Sequence, residues 1–380
     1  MIVVIADDLT GATEIGGIGL RFGLKTVVSI KAEVLAANTE LLVINTNSRS
    51  LKLEDALQVT REVTAKVRAL NPQHIFKKID SALRGYIPQE VTVHLEELGL
   101  NSALVVAANP ALNRFIVDGI YYVNGIPLHE AGFVTDPEFP AFTADVVHLL
   151  SGKDIAVTVR KPGELTNENG LVIGEVAREE DLHVWMKYYQ PEIFPVGSGG
   201  FFAAFLKGLG YQPQQENFAK RSDLQTPLLL VSGTAHPESA GLYKQLKEQG
   251  KPVVYLNKAL FGEQTGEWIA EVVALLQQEG TVIITLDPDN TPAFVNPEWL
   301  RVKTAELVYM LIAKAGIKEL IIEGGATAAE ILKELQVTQL TPVQEFSQGV
   351  IRMRDESSGI YITTKPGSYR WADEIHPSVL

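Results

Sequence analysis

The chain opens with MIVVIADDLTGATEIGG (residues 1–17), in which an apolar, β-branched run is followed at once by two carboxylates, Asp7 and Asp8, and a glycine-containing turn. Burying two like charges side by side costs free energy, so folding alone gains little from this pair. Asp, Thr and Gly are also ordinary residues of turns and helix N-caps. From this stretch alone, a functional pair and a helix cap are equally good interpretations.

The order of strand, polar turn and helix repeats after this stretch. Strand-like runs occur in KTVVSI (25–30), ELLVINTNSRS (40–50), HIFKKIDS (74–81) and SALVVAAN (102–109), and helical spacing occurs in LEDALQVTREVTAKVRAL (53–70) and PQEVTVHLEELG (88–99). Such alternation predicts βαβ units and a largely parallel sheet. Ligands of these sheets bind beyond the carboxyl ends of the strands. We therefore expect Asp7, Asp8, residues 47–50, Asp80 and Asn109 on one rim.

Two domains are expected, because 380 residues exceed the usual single-domain range of roughly 100 to 200. The polar segment YQPQQENFAKRSDLQ (211–225) predicts a linker. We expect a first domain over 1–215 and a second over 216–380, each α/β with a largely parallel sheet flanked by helices. Residues 109–142 lack periodicity and predict a functional loop.

The composition and the absence of several motifs exclude some classes of function. The net charge of −13 argues against nucleic-acid and membrane-surface partners, and the absence of cysteine excludes disulfides, thiolate zinc sites and cysteine nucleophiles. No apolar run approaches the roughly 18 residues of a membrane span, and the N-terminus does not resemble a secretion signal, so a cytoplasmic location is expected. G-x-x-x-x-G-K-[ST] is missing, and GSGGFFAAF fails G-x-G-x-x-G because Phe202 occupies the final glycine position.

The second half contains two strand, small-residue turn and helix units. In the first, LLLV (228–231) leads into Ser232-Gly233-Thr234; in the second, KELIIE (318–323) leads into residues 324–327, GGAT. Glycine lets a phosphate approach the backbone, and a helix N-terminus presents unpaired N–H groups to it. A tight turn is the competing interpretation for each unit, but two units in one domain favour a nucleotide.

Charged residues cluster in KKIDSALRGYIPQE (77–90). Lys77, Lys78, Asp80 and Arg84 fall within eight positions, and the run is broken by apolar residues, so an anion-holding turn competes with a solvated charge run. Arg49, expected on the same rim, supplies a fork-shaped donor for a carboxylate.

The sequence resembles the four-carbon acid sugar kinases, which include D-threonate, D-erythronate and 3-oxo-tetronate kinases. Eight segments carry the resemblance in family order: IADDLTGATEIG, NTNSRS, KKIDSALRG, NPALNRFIVDGIYYVNGIPLHEAGFVTDPEFP, VGSGGFFAAF, VSGTAHPES, EGGATAAEIL and ITTKPGSYRWADEI. NPALNRFIVDG and SGTAHPES depart from the usual family forms.

The resemblance implies an N-terminal substrate domain (1–215), a C-terminal nucleotide domain (216–380) and an active site in the cleft between them. It also implies ATP-dependent phosphorylation of a terminal hydroxyl of a four-carbon sugar acid, in carbohydrate metabolism. The positions that it implies for substrate contact are Asp8, Arg49, Lys78, Ile79, Asp80 and Ser81. The charge clusters described above add Asp7 and Arg84 to the expected substrate-binding residues. The positions that the resemblance implies for ATP contact are Ser232, Gly324, Gly325, Ala326, Thr327 and Gly367. Mg²⁺ is expected as a second cofactor with no assigned ligands, and a homo-oligomer is compatible with the sequence.

Phosphoryl transfer needs positioning, charge neutralisation and an acceptor for the hydroxyl proton. Asp8 is the candidate base, with Asp80 as its rival and Asp7 as a neighbouring support or a magnesium contact through water. Arg49 and Lys78 are expected to hold the substrate carboxylate, and Arg84 to steady that group or the transferring phosphate. Two alternatives stay open at this point: a two-domain binding or sensor protein without catalysis, and a sugar-acid aldolase or isomerase.

Overall fold

A computed structural model describes residues 1–32, 39–136, 138–151, 155–164, 168–214, 223–234, 237–261, 264–287, 289–291, 295–367 and 369–380. The chain divides into two compact units, Met1–Gln214 and Gln215–Leu380. Residues 215–222 of the expected linker lie outside the described residues. Nowhere in the described part of the chain is a helix long and apolar enough to span a membrane.

The N-terminal unit is α/β, as the sequence predicts. Its strands are β1 (Ile2–Ala6), β2 (Thr26–Ser29), β3 (Leu41–Asn45), β4 (His74–Lys78), β5 (Ser102–Val106), β6 (Arg114–Val117), β7 (Ile120–Val123), β8 (Ile126–Pro127), β9 (Val157–Arg160), β10 (Gly170–Gly174) and β11 (Ile193–Gly197). Its helices are α1 (Leu9–Arg21), α2 (Leu53–Ala69), α3 (Ile87–Leu98), α4 (Val146–Leu150), α5 (Glu179–Met186) and α6 (Gly199–Gly208).

The main sheet of this unit is parallel, in the order β2-β3-β1-β4-β11-β5-β10-β9. Helices cover both of its faces. Val4 of β1 packs in the same core as Ile15 of α1, whereas its neighbour Val3 packs in a second core with Val63 of α2. A strand buried on both sides needs apolar residues at every position. This is why IVVIA is a continuous apolar run instead of an alternating one.

The segment predicted as an irregular loop over 109–142 instead contains a small antiparallel sheet. Strands β6, β7 and β8 pair in that order, and short 3₁₀ turns follow at Leu128–Glu130 and Phe133–Thr135. Glycine-centred turns with positive φ at Gly119 and Gly125 join the strands. The two-residue turns are typical of β-hairpins. The strands that they join have only four, four and two residues, which is too short to show a periodicity in the sequence.

The C-terminal unit repeats the α/β pattern. Its strands are β12 (Leu228–Ser232), β13 (Val253–Tyr255), β14 (Thr281–Thr285), β15 (Glu319–Glu323), β16 (Gln339–Ser347), β17 (Val350–Arg354) and β18 (Tyr361–Lys365). Its helices are α7 (Pro237–Glu248), α8 (Asn257–Phe261), α9 (Thr265–Glu279), α10 (Pro297–Ala315) and α11 (Gly325–Glu334). Strands β13-β14-β12-β15-β18 are parallel, and β17 and β16 continue the sheet antiparallel. The expectation of a largely parallel sheet is therefore confirmed in both units.

Candidate active site

Asp7 and Asp8 leave the carboxyl end of β1 with different environments. Asp8 is the N-cap of α1, and its Oδ1 accepts a hydrogen bond from the Gly11 backbone N–H at 2.7 Å. Its side chain is 25% exposed, whereas that of Asp7 is 4% exposed. Burial, with a smaller contribution from the charge of Asp8, raises the pKa of Asp7 to about 6 against the opposing charge of Arg49. The capping interpretation thus holds for Asp8 and leaves Asp7 as a buried acid with a perturbed pKa.

Arg49 joins the carboxylates of this edge. It lies in the 3₁₀ turn Ser48–Ser50, which follows β3. Its Nε lies 3.4 Å from Asp7 Oδ2, its Nη1 lies 3.4 Å from Asp80 Oδ1, and its Nη2 forms an ion pair with Asp8 Oδ2. Because β3, β1 and β4 are parallel neighbours, their carboxyl ends meet at one edge and deliver these side chains to one point.

Asp80 is held by more donors than the other two acids. The Arg84 side chain binds it through Nε at 2.8 Å and Nη2 at 3.1 Å, and the Ala82 and Arg84 backbone N–H groups add bonds of 3.2 and 3.3 Å. Burial alone would raise the pKa of Asp80, but the charges of Arg84 and Arg49 hold that pKa well below its usual value. Arg84 also donates from Nη1 to Asp136 Oδ2 at 3.2 Å. Asp80 is therefore a strongly anchored anion.

Lys78 and Ile79 lie at the end of β4 and are buried. The Lys78 ammonium is 3.2 Å from Glu14 Oε2 and donates to the Ile79 carbonyl at 3.0 Å. The Ile79 side chain belongs to the core, and its backbone N–H donates to the Gly197 carbonyl at 3.0 Å. A ligand could therefore meet Ile79 only through its backbone.

Ser81 is contacted by two residues that sequence reasoning missed. Arg114 Nη1 donates to Ser81 Oγ, and the Tyr121 hydroxyl donates to the Ser81 carbonyl oxygen. Both residues come from the small antiparallel sheet, so this sheet supports the loop that carries Asp80. The sequence feature that could have indicated Arg114 is its position as an arginine inside the segment predicted as a functional loop.

Asn109 follows β5 and is 1% exposed. Neither its side-chain oxygen nor its side-chain nitrogen has a hydrogen-bond partner among the described residues. Its backbone pairs with Arg114, with N–H···O distances of 3.0 and 3.1 Å. The sequence places Asn109 on the rim, and the structure links it there to the start of β6.

The C-terminal unit carries a buried carboxylate, Glu323, at the end of β15. It accepts hydrogen bonds from Ser232 Oγ at 2.7 Å, Ser239 Oγ at 2.9 Å, the Tyr243 hydroxyl at 2.8 Å and Lys365 Nζ at 2.8 Å. These donors come from β12, α7 and β18. Glu323 therefore ties together the loops that follow three strands.

These loops contain the glycines singled out in the sequence. A Cβ on Gly233 would overlap Thr327 Oγ1, and one on Gly367 would lie 2.6 Å from Thr234 Oγ1. Gly324 adopts φ +110° and precedes α11, whose N-terminus has no side-chain cap. The residues at positions 232–234, 324–327 and 367 therefore meet in one place. The Ser232 hydroxyl donates to Glu323, and the Ser232 backbone lies in β12 opposite Thr285 and Glu323 of the neighbouring strands.

A cavity of about 350 Å³ adjoins this junction. Gly367 and Lys365 line it from β18 and the following turn, and Ser239 and Leu242 line it from α7. Among the described residues no group of three or more His, Asp or Glu side chains is arranged to hold a metal ion.

The two units match known domain families. A sugar-binding N-terminal domain family matches residues 2–205, and a nucleotide-binding C-terminal domain family matches residues 229–369. Together with relatives that are named as kinases, these two domains identify the chain as a kinase, a phosphotransferase with an alcohol group as acceptor. The chain belongs to the four-carbon acid sugar kinase family, as its sequence resemblance implies.

Relatives of known activity align over much or nearly all of the chain. A D-threonate kinase of Bordetella bronchiseptica is 25% identical over 98% of this chain and 95% of its own length. A 3-oxo-tetronate kinase of Methylobacterium radiotolerans is 23% identical over 97% of this chain and 96% of its own. A D-threonate kinase of Salmonella typhimurium is 32% identical over 61% of this chain and 57% of its own.

Two solved structures share the fold. A Haemophilus influenzae protein superposes with a TM-score of 0.76 at 18% identity and covers 98% of both chains. A Salmonella typhimurium protein described as a putative tRNA synthase superposes with a TM-score of 0.79 at 17% identity, covering 98% of this chain and 97% of its own. At these identities the likeness concerns the fold alone.

Proposed function

We propose that this protein transfers the terminal phosphate of ATP to the terminal hydroxyl of a four-carbon sugar acid of the threonate, erythronate or 3-oxo-tetronate type. The observation that carries the proposal is the group of Asp7, Asp8 and Asp80 around Arg49, at the carboxyl edge of the sugar-binding unit. The activities named for the full-length relatives support the substrate class.

Asp8 is the proposed proton acceptor. It has the most exposed side chain of the three acids, and its described partners are the Gly11 N–H and Arg49. Asp80 is the weaker candidate because Arg84 and Arg49 stabilise its charged form, which makes it a poor base. Holding Asp8 at the first turn of α1 fixes the direction in which its free lone pairs point.

The remaining rim residues position the acids and the substrate. Arg49 contacts both Asp7 and Asp8. It would keep the two carboxylates in position for contact with the sugar hydroxyls. Arg84 anchors Asp80, whose neighbour Ser81 presents its hydroxyl beside Arg114. The expectation that Arg49 and Lys78 bind the substrate carboxylate stays a prediction. Existing acidic partners already offset both of their charges.

The C-terminal unit would hold ATP at the junction of its glycine loops. Gly324 and Gly367 leave backbone unobstructed by a Cβ, and Gly325, Ala326 and Thr327 form the uncapped first turn of α11. Unpaired N–H groups at a helix start attract phosphate oxygens. The residues present therefore fit a nucleotide phosphate chain. The expectation that Ser232 contacts ATP stays a prediction.

Mg²⁺ would neutralise charge on the phosphates when bound. Asp7 and Asp8 are oxygen ligands of the type that Mg²⁺ prefers. Mg²⁺ in kinase sites is usually held by one or two carboxylates together with phosphates and water. The protein's own contribution is Arg49, which contacts both carboxylates and holds them side by side.

The test is ADP release from Mg-ATP in the presence of D-threonate, D-erythronate and 3-oxo-tetronates, with the corresponding tetritols as uncharged controls. We expect ADP release with at least one acid and phosphate on its terminal oxygen by NMR. A binding protein or an aldolase would release no ADP with any of these compounds, which would overturn the proposal.

A further inference from the structure

Three of the basic side chains at the carboxyl edge of the N-terminal sheet already have acidic partners. Arg49 contacts three carboxylates, Lys78 contacts Glu14, and Arg84 contacts Asp80 and Asp136. A substrate carboxylate that approached any of them would also approach those like charges. The field around these cations therefore does not favour another anion.

Arg114 differs from them in its surroundings. No carboxylate of the described residues lies within 4.0 Å of its guanidinium, and its described hydrogen bond goes to a neutral acceptor, Ser81 Oγ. A guanidinium has five N–H donors, so this bond leaves most of them available. The side chain is half-buried, which strengthens its interaction with an anion while leaving access for one.

The fold also holds Arg114 in a defined place. It is the first residue of β6, where it pairs with Val123 of β7, and its backbone forms two hydrogen bonds with Asn109. Its guanidinium carbon lies 6.0 Å from the centre of the Phe133 ring. A planar guanidinium restrained by an aromatic ring loses little freedom when it binds a carboxylate.

Arg114 belongs to the same cluster of side chains as the candidate base, Asp8. Contacts lead from Arg114 to Ser81, then through the adjacent Asp80 to Arg49, and from Arg49 to Asp8. The charge of Arg114 also contributes to the low pKa of Asp80, as expected of a nearby cation. A sugar acid has its carboxylate at the end opposite the terminal hydroxyl, so the two ends need different residues.

We propose that Arg114 binds the carboxylate of the substrate and thereby makes the site prefer sugar acids to uncharged polyols. This assignment rests on the proposed function, because it takes the substrate to be a four-carbon acid. It differs from the sequence-based expectation, which gives the carboxylate to Arg49 and Lys78.

The test compares the affinities of wild type, Arg114→Ala and Arg114→Lys for D-threonate and D-erythronate by calorimetry. A lost charge-assisted hydrogen bond corresponds to roughly tenfold to over a hundredfold weaker binding. We expect that loss for Arg114→Ala and partial recovery for Arg114→Lys. The tetritols, measured as inhibitors of ADP release, should bind wild type and Arg114→Ala within threefold of each other.

Two controls separate charge recognition from support of the loop. Ser81→Ala removes the acceptor of Arg114 and should weaken acid binding less than Arg114→Ala does. Arg61→Ala removes a half-exposed arginine of α2 that pairs with Glu96 and Glu97. It should leave acid binding unchanged. Thermal melts check that every variant is folded.

The outcomes distinguish this inference from the proposed function. Acid affinity within threefold of wild type in folded Arg114→Ala, or equal losses for acids and tetritols, overturns the role of Arg114 and leaves kinase activity standing. Arg114-dependent acid binding without ADP release supports the carboxylate site and overturns the phosphotransfer proposal. If wild type binds none of the acids, both are overturned.

Discussion

Replacing Asp8 by asparagine separates the charge of this residue from its capping role. Asp8 Oδ1 accepts the Gly11 N–H at 2.7 Å, and an asparagine oxygen caps a helix about as well as an aspartate oxygen does. Arg49 keeps Asp7 and Asp80 as neighbours, each at 3.4 Å. Asp8→Asn is therefore expected to fold normally, whereas Asp8→Ala should lose about 1 kcal/mol of unfolding free energy with its cap.

Turnover should respond very differently from stability. The asparagine amide cannot accept the proton of the sugar hydroxyl, and general-base contributions are typically about a hundredfold to ten-thousandfold. This range corresponds to about 3 to 5 kcal/mol of activation free energy. Binding of the sugar acid should fall only a few-fold, because Arg49 and the Asp80 loop remain in place.

The assay measures ADP release at saturating ATP and sugar acid, with calorimetry for acid affinity and a thermal melt for folding. Asp118→Asn is the matched control, because Asp118 is a 73% exposed acid of the same unit whose partner is Lys161. If folded Asp8→Asn keeps at least half of the wild-type turnover, Asp8 is not the base. The role would then pass to Asp7 or Asp80.

Further perturbations test the rest of the structure. Arg49→Ala should lower turnover and weaken the binding of sugar acids and of tetritols by similar factors in calorimetry. A loss of affinity confined to the acids would show that Arg49 binds the substrate carboxylate. Gly325→Val should abolish binding of a non-hydrolysable ATP analogue, because a branched side chain obstructs the first turn of α11, while acid binding continues; undiminished nucleotide affinity would make this loop a connector only. The pKa of Asp7, raised to about 6 from 3.8, makes its contribution to stability complete below about pH 4 and lost as pH rises through 6, by about 3 kcal/mol. Denaturant titrations at several pH values should show this decline in wild type but not in Asp7→Asn, and parallel curves would contradict it. Glu319→Ala should cost about 3 to 5 kcal/mol of unfolding free energy, because it removes the carboxylate that accepts hydrogen bonds from Nε and Nη2 of the fully buried Arg352; a loss under about 1 kcal/mol would contradict that reasoning.

The fold class and much of the candidate site's location can be predicted from local sequence patterns. Apolar runs of strand length alternating with helical spacing specify βαβ units, because both periodicities are local properties of the chain. Parallel strands bring their carboxyl ends to one edge, so the positions of Asp7, Arg49 and Asp80 in their segments were enough to place them together. The glycine-rich turns of the C-terminal unit were equally visible, since each follows a buried strand directly.

Which charged side chains pair with each other follows from the three-dimensional fold and not from local sequence. Lys78 contacts Glu14. Glu323 accepts hydrogen bonds from Ser232 and Lys365, which lie on strands distant in sequence. The small antiparallel sheet delivers Arg114 to Ser81 across 33 positions of chain. Local patterns do not encode such pairs, because each depends on where the crossovers place two segments and on the burial that results. Burial and pairing set the pKa of each carboxyl group, and that pKa decides which acid can accept a proton. Pairing also decides how many N–H donors of each arginine remain available to bind an anion.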